Sequence, residues 1–540
     1  MVHPLTIVRT LRHFSARLFV HQLRHRIRGP AQKPAQVMAQ GCTGFAIQGT
    51  WQAPSVEGQT SDGGRRVRLF RSPSIDPIRE GWKPPGRSPL WLYTLHYHGW
   101  INAPEAGPHV VRDLLLHWID KHRHGVGWEP YPTAMRILHW LGWLHRHRAI
   151  LNSEEQRQLF ASLAAQLKHL QRNIEYHLDG NHLWTDLVAL TTAGLVLEGP
   201  LPLRLCRRWL PTLAHVALDQ VGADGVHRER TPSYHCLLTE QLSLVLSAMS
   251  LRAGTMPTLM PTLRGTLERM SMALPAFTHA DGDVALWGDS QLAAPYNPKK
   301  LAQRLGFPLT QGHADANNSG FYRRTWGPWT LLWNAGGSNF GRQVGHLHAD
   351  ALAIELSLGD ERVLVDAGVG TYTIGADRDY SRSTAAHNTV TIGDDDRDQY
   401  ELWASHRIGG RARVTVDEAS PNLLQGRVRG YQWPVRHHRT IEWRAGVLRC
   451  HDSLSSPKIP ATLRFFLPAT VTLAPIVGGF RVTTAQGQSF AMSGPASLRW
   501  QRRDACGWSA IDKPSPRIAL STQLPAKGAT IEFRVEDPCD

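Results

Sequence analysis

The sequence predicts a multidomain α-then-β protein, a helical half followed by an antiparallel β-sandwich. Three observations lead there. The 540 residues exceed what one ordinary hydrophobic core covers, so two or three domains are expected. Apolar residues repeat at helical spacing from about residue 108 to about residue 280, and after Phe307 the period falls to two. A 42% hydrophobic fraction with 19 Trp and only 19% charged residues fills a large core and excludes a disordered or coiled-coil chain.

The N-terminal segment, residues 1–40, carries Arg9, Arg12, Arg17, Arg24, Arg26 and Arg28, which interrupt any apolar run of a secretion signal. No signal peptide is legible, so a periplasmic, cytoplasmic or membrane-associated location all remain open. Ile7, Leu11, Phe14 and Leu18 recur at helical spacing, and a basic amphipathic helix is expected, either docked on the protein or making weak contact with an anionic membrane surface. No stretch of about 18 residues lacks charges and turn signals, so a transmembrane helix is not expected.

The helical domain is placed at 41–310. Ser153-Glu154-Glu155-Gln156 reads as a capping box with the Ser153 hydroxyl aimed at the Gln156 N–H, followed by a buried stripe of Leu159, Leu163, Leu167 and Leu170. Pro132 suits the first turn of another helix, with Met135, Leu138, Leu141 and Leu144 on its inner face. Further helices are expected to begin near Asn181, Leu203, Ser233 and Thr262; periodicity does not say whether the array closes into a ring.

The sandwich domain is placed at 311–540, with the boundary near 300–318. Leu352, Ile354, Leu356 and Leu358, the Gly359-Asp360 turn and the return through Val363 and Val365 form a β-hairpin. Strands follow at Asn388 to Ile392, Arg411 to Val416, Arg439 to Trp443, Val447 to Asp452, Thr462 to Leu467 and Ile531 to Val535.

A net charge of +15 with 28 His in reserve favours an anionic partner: nucleic acid, a phospholipid surface or an acidic polysaccharide. Positive charge is spread along the chain without a helix-turn-helix or aromatic-basic motif, so no nucleic acid is expected. Cys42, Cys206, Cys236, Cys450, Cys506 and Cys539 form no C-x-x-C pair, which argues against a thiolate zinc knuckle and a dense disulfide framework.

Three polar clusters carry chemistry. In Gly345-His346-Leu347-His348-Ala349-Asp350, an extended backbone projects His346, His348 and Asp350 to one face. With Asp366 in Val365-Asp366-Ala367-Gly368 and His387 before Asn388, imidazole and carboxylate ligands suit a Zn²⁺ ion, or else a hydrogen-bonded polar patch at the sandwich rim. In Asp179-Gly180-Asn181-His182 a turn opens a helix, and Asn181 and His182 at its positive end suit a carboxylate, unless Asn181 is a simple cap. Glu229-Arg230-Thr231-Pro232-Ser233-Tyr234-His235 enters another helix, with Tyr234 either a proton donor or a packed side chain.

Taken in order, W-E-P-Y-P-T-A-M-R at Trp128 to Arg136, G-N-H-L-W at Gly180 to Trp184, E-R-T-P-S-Y-H at Glu229 to His235, G-H-L-H-A-D at Gly345 to Asp350, V-D-A-G at Val365 to Gly368 and A-A-H-N-T-V at residues 385–390 resemble the heparinase II/III superfamily of polysaccharide lyases. The resemblance implies an incomplete (α/α) toroid followed by an antiparallel β-sandwich. It implies β-elimination on a uronic-acid-containing acidic polysaccharide, a glycosaminoglycan or a bacterial exopolysaccharide, leaving a 4,5-unsaturated uronate end. Carried over by motif, Asn181 and His182 neutralise the uronate carboxylate, Tyr234 is the acid and for one epimer also the base, and His346 is the base for the opposite epimer or a partner to Tyr234. The family pattern assigns His348, Asp366 and His387 to a metal, usually zinc, as a structural brace of the cleft wall, although three protein ligands plus water also suit a catalytic ion; no organic cofactor is implied. Arg136, Arg230, Tyr372 and Arg382 are candidates for gripping the glycan, against a salt-bridge or packing role for each. Two other functions compete: a non-catalytic glycan-binding protein of exopolysaccharide assembly, and a glycoside hydrolase drawing its carboxylate pair from Asp281, Asp283 and Asp289.

Overall fold

The computed structural model describes residues 3–252, 254, 256–337 and 345–536. They form two compact units, one of Phe14–Val221 with Leu237–Glu268, the other of the described parts of Met1–His13, Gly222–Cys236 and Arg269–Asp540. A single break near residue 311 is expected from the sequence, but short distant segments join the second unit through specific bonds. Thr6 and Arg9 bind the Glu401 carboxylate, and the Arg230 guanidinium donates to the Ser319 and Gly337 carbonyls and to the Asn334 side chain. Cys539 lies outside the described residues.

The first unit is helical. Helix Pro130–His147 packs against Pro89–Tyr97, Ser153–Leu170 and Gly180–Val196, and Gly180–Val196 packs in turn on Pro200–Gln220. Pro130–His147 is buried on every face from Pro130 to Leu144, with Trp140 and Trp143 fully enclosed. Such a helix has no solvated stripe, so its start is signalled by proline rather than by polarity. That proline is Pro130; Pro132 falls two residues later in the first turn. Helix Ser153–Leu170 buries Leu159, Leu163, Leu167 and Leu170 as expected, but its capping box sits one residue earlier. The Asn152 side chain accepts the Glu155 N–H and the Glu155 carboxylate accepts the Asn152 N–H, each at 2.9 Å. Ser153 is already helical, and a carboxylate is a stronger acceptor at the positive helix end than the amide of Gln156.

The N-terminal segment forms two helices, Pro4–Leu11 and Ala16–Arg28, rather than one. The Ser15 hydroxyl accepts the Leu18 N–H and starts the second, so Ile7, Leu11, Phe14 and Leu18 do not line one continuous face. Among the described residues no helix is long and apolar enough to cross a membrane.

The second unit holds three antiparallel sheets that carry the core. A five-stranded sheet runs Ala314–Ala316, Phe321–Trp326, Trp329–Asn334, Ala353–Leu358 and Glu361–Leu364. An eight-stranded sheet holds Arg413–Ala419, Leu423–Arg429, His437–Arg444, Val447–Leu454, Ala529–Val535, Ser489–Ser493, Gly479–Thr483 and Thr472–Ile476, and a four-stranded one Val390–Ile392, Ala461–Pro468, Lys513–Gln523 and Gln501–Ala510. Trp329 meets Phe490 edge-on at 5.3 Å and Phe533 at 6.4 Å, which joins the inner faces of the first two sheets. The expected hairpin forms, with Leu356 opposite Leu364 and Leu358 opposite Glu361. Its polar face is buried as well: His279 bonds Ser357 at 2.8 Å and Glu355 at 3.1 Å, so alternation here separates apolar core from a buried polar seam, not from water.

Candidate active site in the sandwich unit

Helix Pro232–Leu251 begins directly after Thr231 and places Tyr234 in its first turn, half-buried. The Tyr234 and Tyr372 hydroxyls share a hydrogen bond of 2.9 Å. The His346 ring stacks on Tyr234 with centroids 4.1 Å apart and meets Tyr372 edge-on at 6.0 Å. Asp289 fixes that ring: its Oδ2 accepts from His346 Nδ1 at 2.8 Å and its Oδ1 from His348 Nε2 at 2.9 Å. Arg378 closes the pattern from the other side, binding both carboxylate oxygens, with Nη2 to Oδ2 at 2.9 Å. Its guanidinium lies 5.1 Å from the Tyr372 ring centroid.

The backbone brings these groups together without a strand. The Asp289 N–H donates to the His346 carbonyl at 3.0 Å, and Gly288 before it has φ +56°. A Cβ on Gly288 would stand 2.7 Å from that carbonyl, so only glycine permits the approach. His346 and His348 therefore share one partner as their alternation suggests, although the segment is a turn and an irregular stretch. Asp350 instead accepts the Gly288 N–H at 3.1 Å, and burial raises its carboxyl to about 6.

Burial opposes the charge on Asp289, but the Arg378 cation and the bonds from both imidazoles outweigh it and hold the carboxyl well below the usual range. An ionised Asp289 only accepts, so His346 carries its proton on Nδ1 and, when neutral, presents the Nε2 lone pair. Nε2 lies 3.8 Å from a Glu229 oxygen, beyond direct hydrogen-bonding range. Burial raises the Tyr372 hydroxyl well above the ordinary phenol range, which keeps it a donor.

His348, Asp366 and His387 form an adjoining buried group. His387 Nδ1 meets Asp366 Oδ1 at 2.6 Å, and the His348 and His387 ring centroids are 5.5 Å apart. Burial pushes His348 down to about 4; it opposes the charge on His387 too, but the Asp366 carboxylate outweighs it and raises that imidazole. His348 Nδ1, Asp366 Oδ2 and His387 Nε2 are all buried without a hydrogen-bond partner. Two imidazole nitrogens and one carboxylate oxygen left in that state match the donor set of a Zn²⁺ ion. No ready-made cluster of three or more ligating side chains occurs among the described residues, so the three atoms are a compatible donor set rather than a formed cage.

Asn181 and His182 lie in the helical unit, in the first turn of Gly180–Val196 as expected. Asn181 is buried, and the half-exposed His182 bonds Glu175 through Nδ1 at 2.9 Å and packs on Tyr131 at 4.6 Å. The preceding Asp179 supplies no side-chain cap to the helix, and neither Asn181 nor His182 is the cap residue. Of the four residues expected to grip a glycan, Tyr372 stands at Tyr234. The arginines serve packing: Arg136 is fully buried, bonding Gln166 and the Gly127 and His96 carbonyls over the Trp118 ring. Arg230 is held as described above, and Arg382 donates to the Ala404 and Arg407 carbonyls. Each of the three arginines is buried, and its guanidinium donates to at least one backbone carbonyl.

Sequence reasoning missed Arg378 and the orienting role of Asp289. Asp289 was visible only as one of three nearby aspartates, and nothing local ties it to His346, 57 positions away. Arg378 sits in Ala376–Arg382 with Asp377, Asp379 and Arg382, a pattern that reads as a solvated charged helix.

The family description "Heparinase II/III N-terminus" matches residues 93–305, and "Heparinase II/III-like, C-terminal" matches residues 308–532. Among solved structures, a heparinase III superposes with a TM-score of 0.64 at 15% identity, covering 83% of this chain and 76% of that one. A second heparinase III gene product gives 0.62 at 16% identity, with 85% and 81% covered. A heparan sulfate lyase from Pedobacter heparinus gives 0.56 at 16% identity, with 96% and 88% covered. At these identities the likeness speaks for the fold, a helical toroid followed by a sheet-rich half. No curated protein sequence matches.

Proposed function

Because the chain belongs to the heparinase II/III family, it is a polysaccharide lyase acting on an acidic polysaccharide, and we propose that Tyr234 and His346 carry its β-elimination. The reaction removes the proton at C5 of a uronate, forms the C4=C5 double bond and breaks the bond from C4 to the bridging O4, which leaves with a proton. No water is consumed.

The C5 proton is only weakly acidic until the neighbouring carboxylate is neutralised. Asn181 and His182, at a positive helix end, are the residues proposed for that task. Tyr234 protonates the departing O4 when the C5 proton lies on the opposite side of the ring; where both groups lie on one side, Tyr234 acts as the phenolate, takes the C5 proton and hands that same proton to O4. Tyr372, kept protonated by burial, is placed to donate to the Tyr234 oxygen once that proton has gone. His346, with Nδ1 fixed by Asp289, offers Nε2 as the base for the opposite epimer. The observation that carries this reading is one contiguous group: Tyr372 hydrogen-bonded to Tyr234, the Tyr234 ring stacked on His346, and His346 and Arg378 both hydrogen-bonded to Asp289.

His348, Asp366 and His387 are proposed to hold a Zn²⁺ ion, which when bound supplies a structural brace to the wall behind His346. His348 and His346 share the Asp289 carboxylate, so bracing one positions the other.

The hydrolase alternative needs a protonated carboxylic acid opposite a free carboxylate. Asp289 is clamped ionised by Arg378, and Asp281 is bound by Arg362 and held down at about 2 despite burial. A panel of uronate polysaccharides tests the proposal. A rise in ultraviolet absorbance from the conjugated C4=C5 bond identifies elimination, whereas new reducing ends without it identify hydrolysis and refute the proposal.

A further inference from the structure

Fourteen large apolar side chains are exposed among the described residues, and eight of them fall within the two N-terminal helices. Chance scatter over the surface does not produce that concentration. Both helices are oriented against the usual amphipathic rule. Pro4–Leu11 docks by its polar side: Thr6 and Thr10 are buried, Thr6 and Arg9 bind Glu401, and the Trp403 indole N–H donates to Thr10. Leu5, Ile7, Val8 and Leu11 are left outside.

Ala16–Arg28 behaves alike within the helical unit. His21 stacks on Tyr176 at 5.0 Å, His25 stacks on His177 at 3.8 Å, and Gln22 donates to the His177 carbonyl. Only Leu18 brings an apolar group inward. Phe19, Leu23 and Ile27, spaced by four, and Val20 beside them face solvent, with Ile27 76% exposed. Exposed Arg24, Arg26 and Arg28 border that stripe.

The charge of the segment has one sign. The first acidic residue of the chain is Glu57, and before it stand Arg9, Arg12, Arg17, Arg24, Arg26, Arg28 and Lys33. We propose that these two helices lay their apolar faces into the interface of an anionic phospholipid bilayer, holding the lyase at a membrane surface. An acidic polysaccharide would answer the arginines, but it has no apolar phase to receive Phe19, Leu23 and Ile27. A bilayer interface answers both. The helices are too short and too charged to cross, so the contact is peripheral.

The test uses the full chain with vesicles of phosphatidylcholine alone or mixed with phosphatidylglycerol. The protein floats with anionic vesicles, and about tenfold or more weaker with neutral ones. Phe19→Ser with Leu23→Ser, and separately the triple change of Arg24, Arg26 and Arg28 to Gln, each lower retention about tenfold while lyase rate on soluble polysaccharide and melting temperature stay at wild-type values. Three results overturn the proposal. The first is no flotation of the wild type. The second is retention that survives loss of Phe19 and Leu23, which would mean charge alone. The third is a concentration-dependent dimer that Phe19→Ser with Leu23→Ser dissolves, without vesicle binding.

Discussion

Asp289 receives four hydrogen bonds from three side chains, and removing its charge affects each of them. Asp289→Asn leaves the buried Arg378 cation without its counter-charge and forces one imidazole to turn. Stability should fall by about 3–5 kcal/mol, read by denaturant unfolding, together with turnover. Tyr372→Phe keeps the ring against Arg378 and removes only the hydroxyl. It should lower kcat about tenfold with little change in KM or in the melting temperature, since it acts on Tyr234 rather than on binding. The candidate residues were legible because Tyr234, His346 and His348 lie in short dense motifs. The groups that orient them were not, because Asp289 and Arg378 reach the site through tertiary contact from segments that look like ordinary loop and surface helix.

At the scale of elements, the capping box separates two adjacent residues. Asn152→Ala should destabilise the protein by about 1 kcal/mol in denaturant unfolding, while Ser153→Ala should change it by less than about 0.5 kcal/mol. An effect of equal size at Ser153 would contradict the observed register. The helix was readable from its leucine stripe, and only its first residue was misplaced, because two overlapping four-residue patterns satisfy the same signature. Strand reading failed for a different reason. Phe321–Trp326 and Trp329–Asn334 are buried almost throughout, with Arg323 and Arg324 inside, so neither alternation nor an apolar run marked them. The sequence pattern starts a strand at Asn388. Its side chain instead donates to the Ile354 and Val365 carbonyls and accepts the Phe466 N–H, and the ladder begins at Val390.

Over the whole molecule, buried charge ties stability to pH and to ligand content. Asp452 accepts from Arg439 and His437. Burial works against its charge, but Arg439 outweighs it, and the carboxyl lies well below the usual range. A folded-state pKa below the unfolded value stabilises at higher pH, and the contribution fades as the pH drops below about 4. Thermal unfolding of Asp452→Asn should therefore fall furthest behind the wild type near neutrality and converge with it in acid. Replacing His348 or His387 with Ala should lower bound zinc and the melting temperature together. Unchanged zinc content and stability in both variants would remove the ligand assignment. The order of the two halves was legible because the hydrophobic period changes once, near Phe307. The joining of Met1–His13 and Gly222–Cys236 to the strand unit was not, since single bonds such as Arg9 to Glu401 leave no periodic trace.

The account rests on Tyr234 as the proton donor, and the most direct measurement compares the wild type with Tyr234→Phe on one cleaved uronate polysaccharide, following the absorbance of the conjugated C4=C5 bond. The phenyl ring preserves the stack on His346 and removes only the hydroxyl. The expected result is a fall in kcat of about 100-fold or more with an unchanged melting temperature. Elimination at the wild-type rate by Tyr234→Phe would contradict the mechanism.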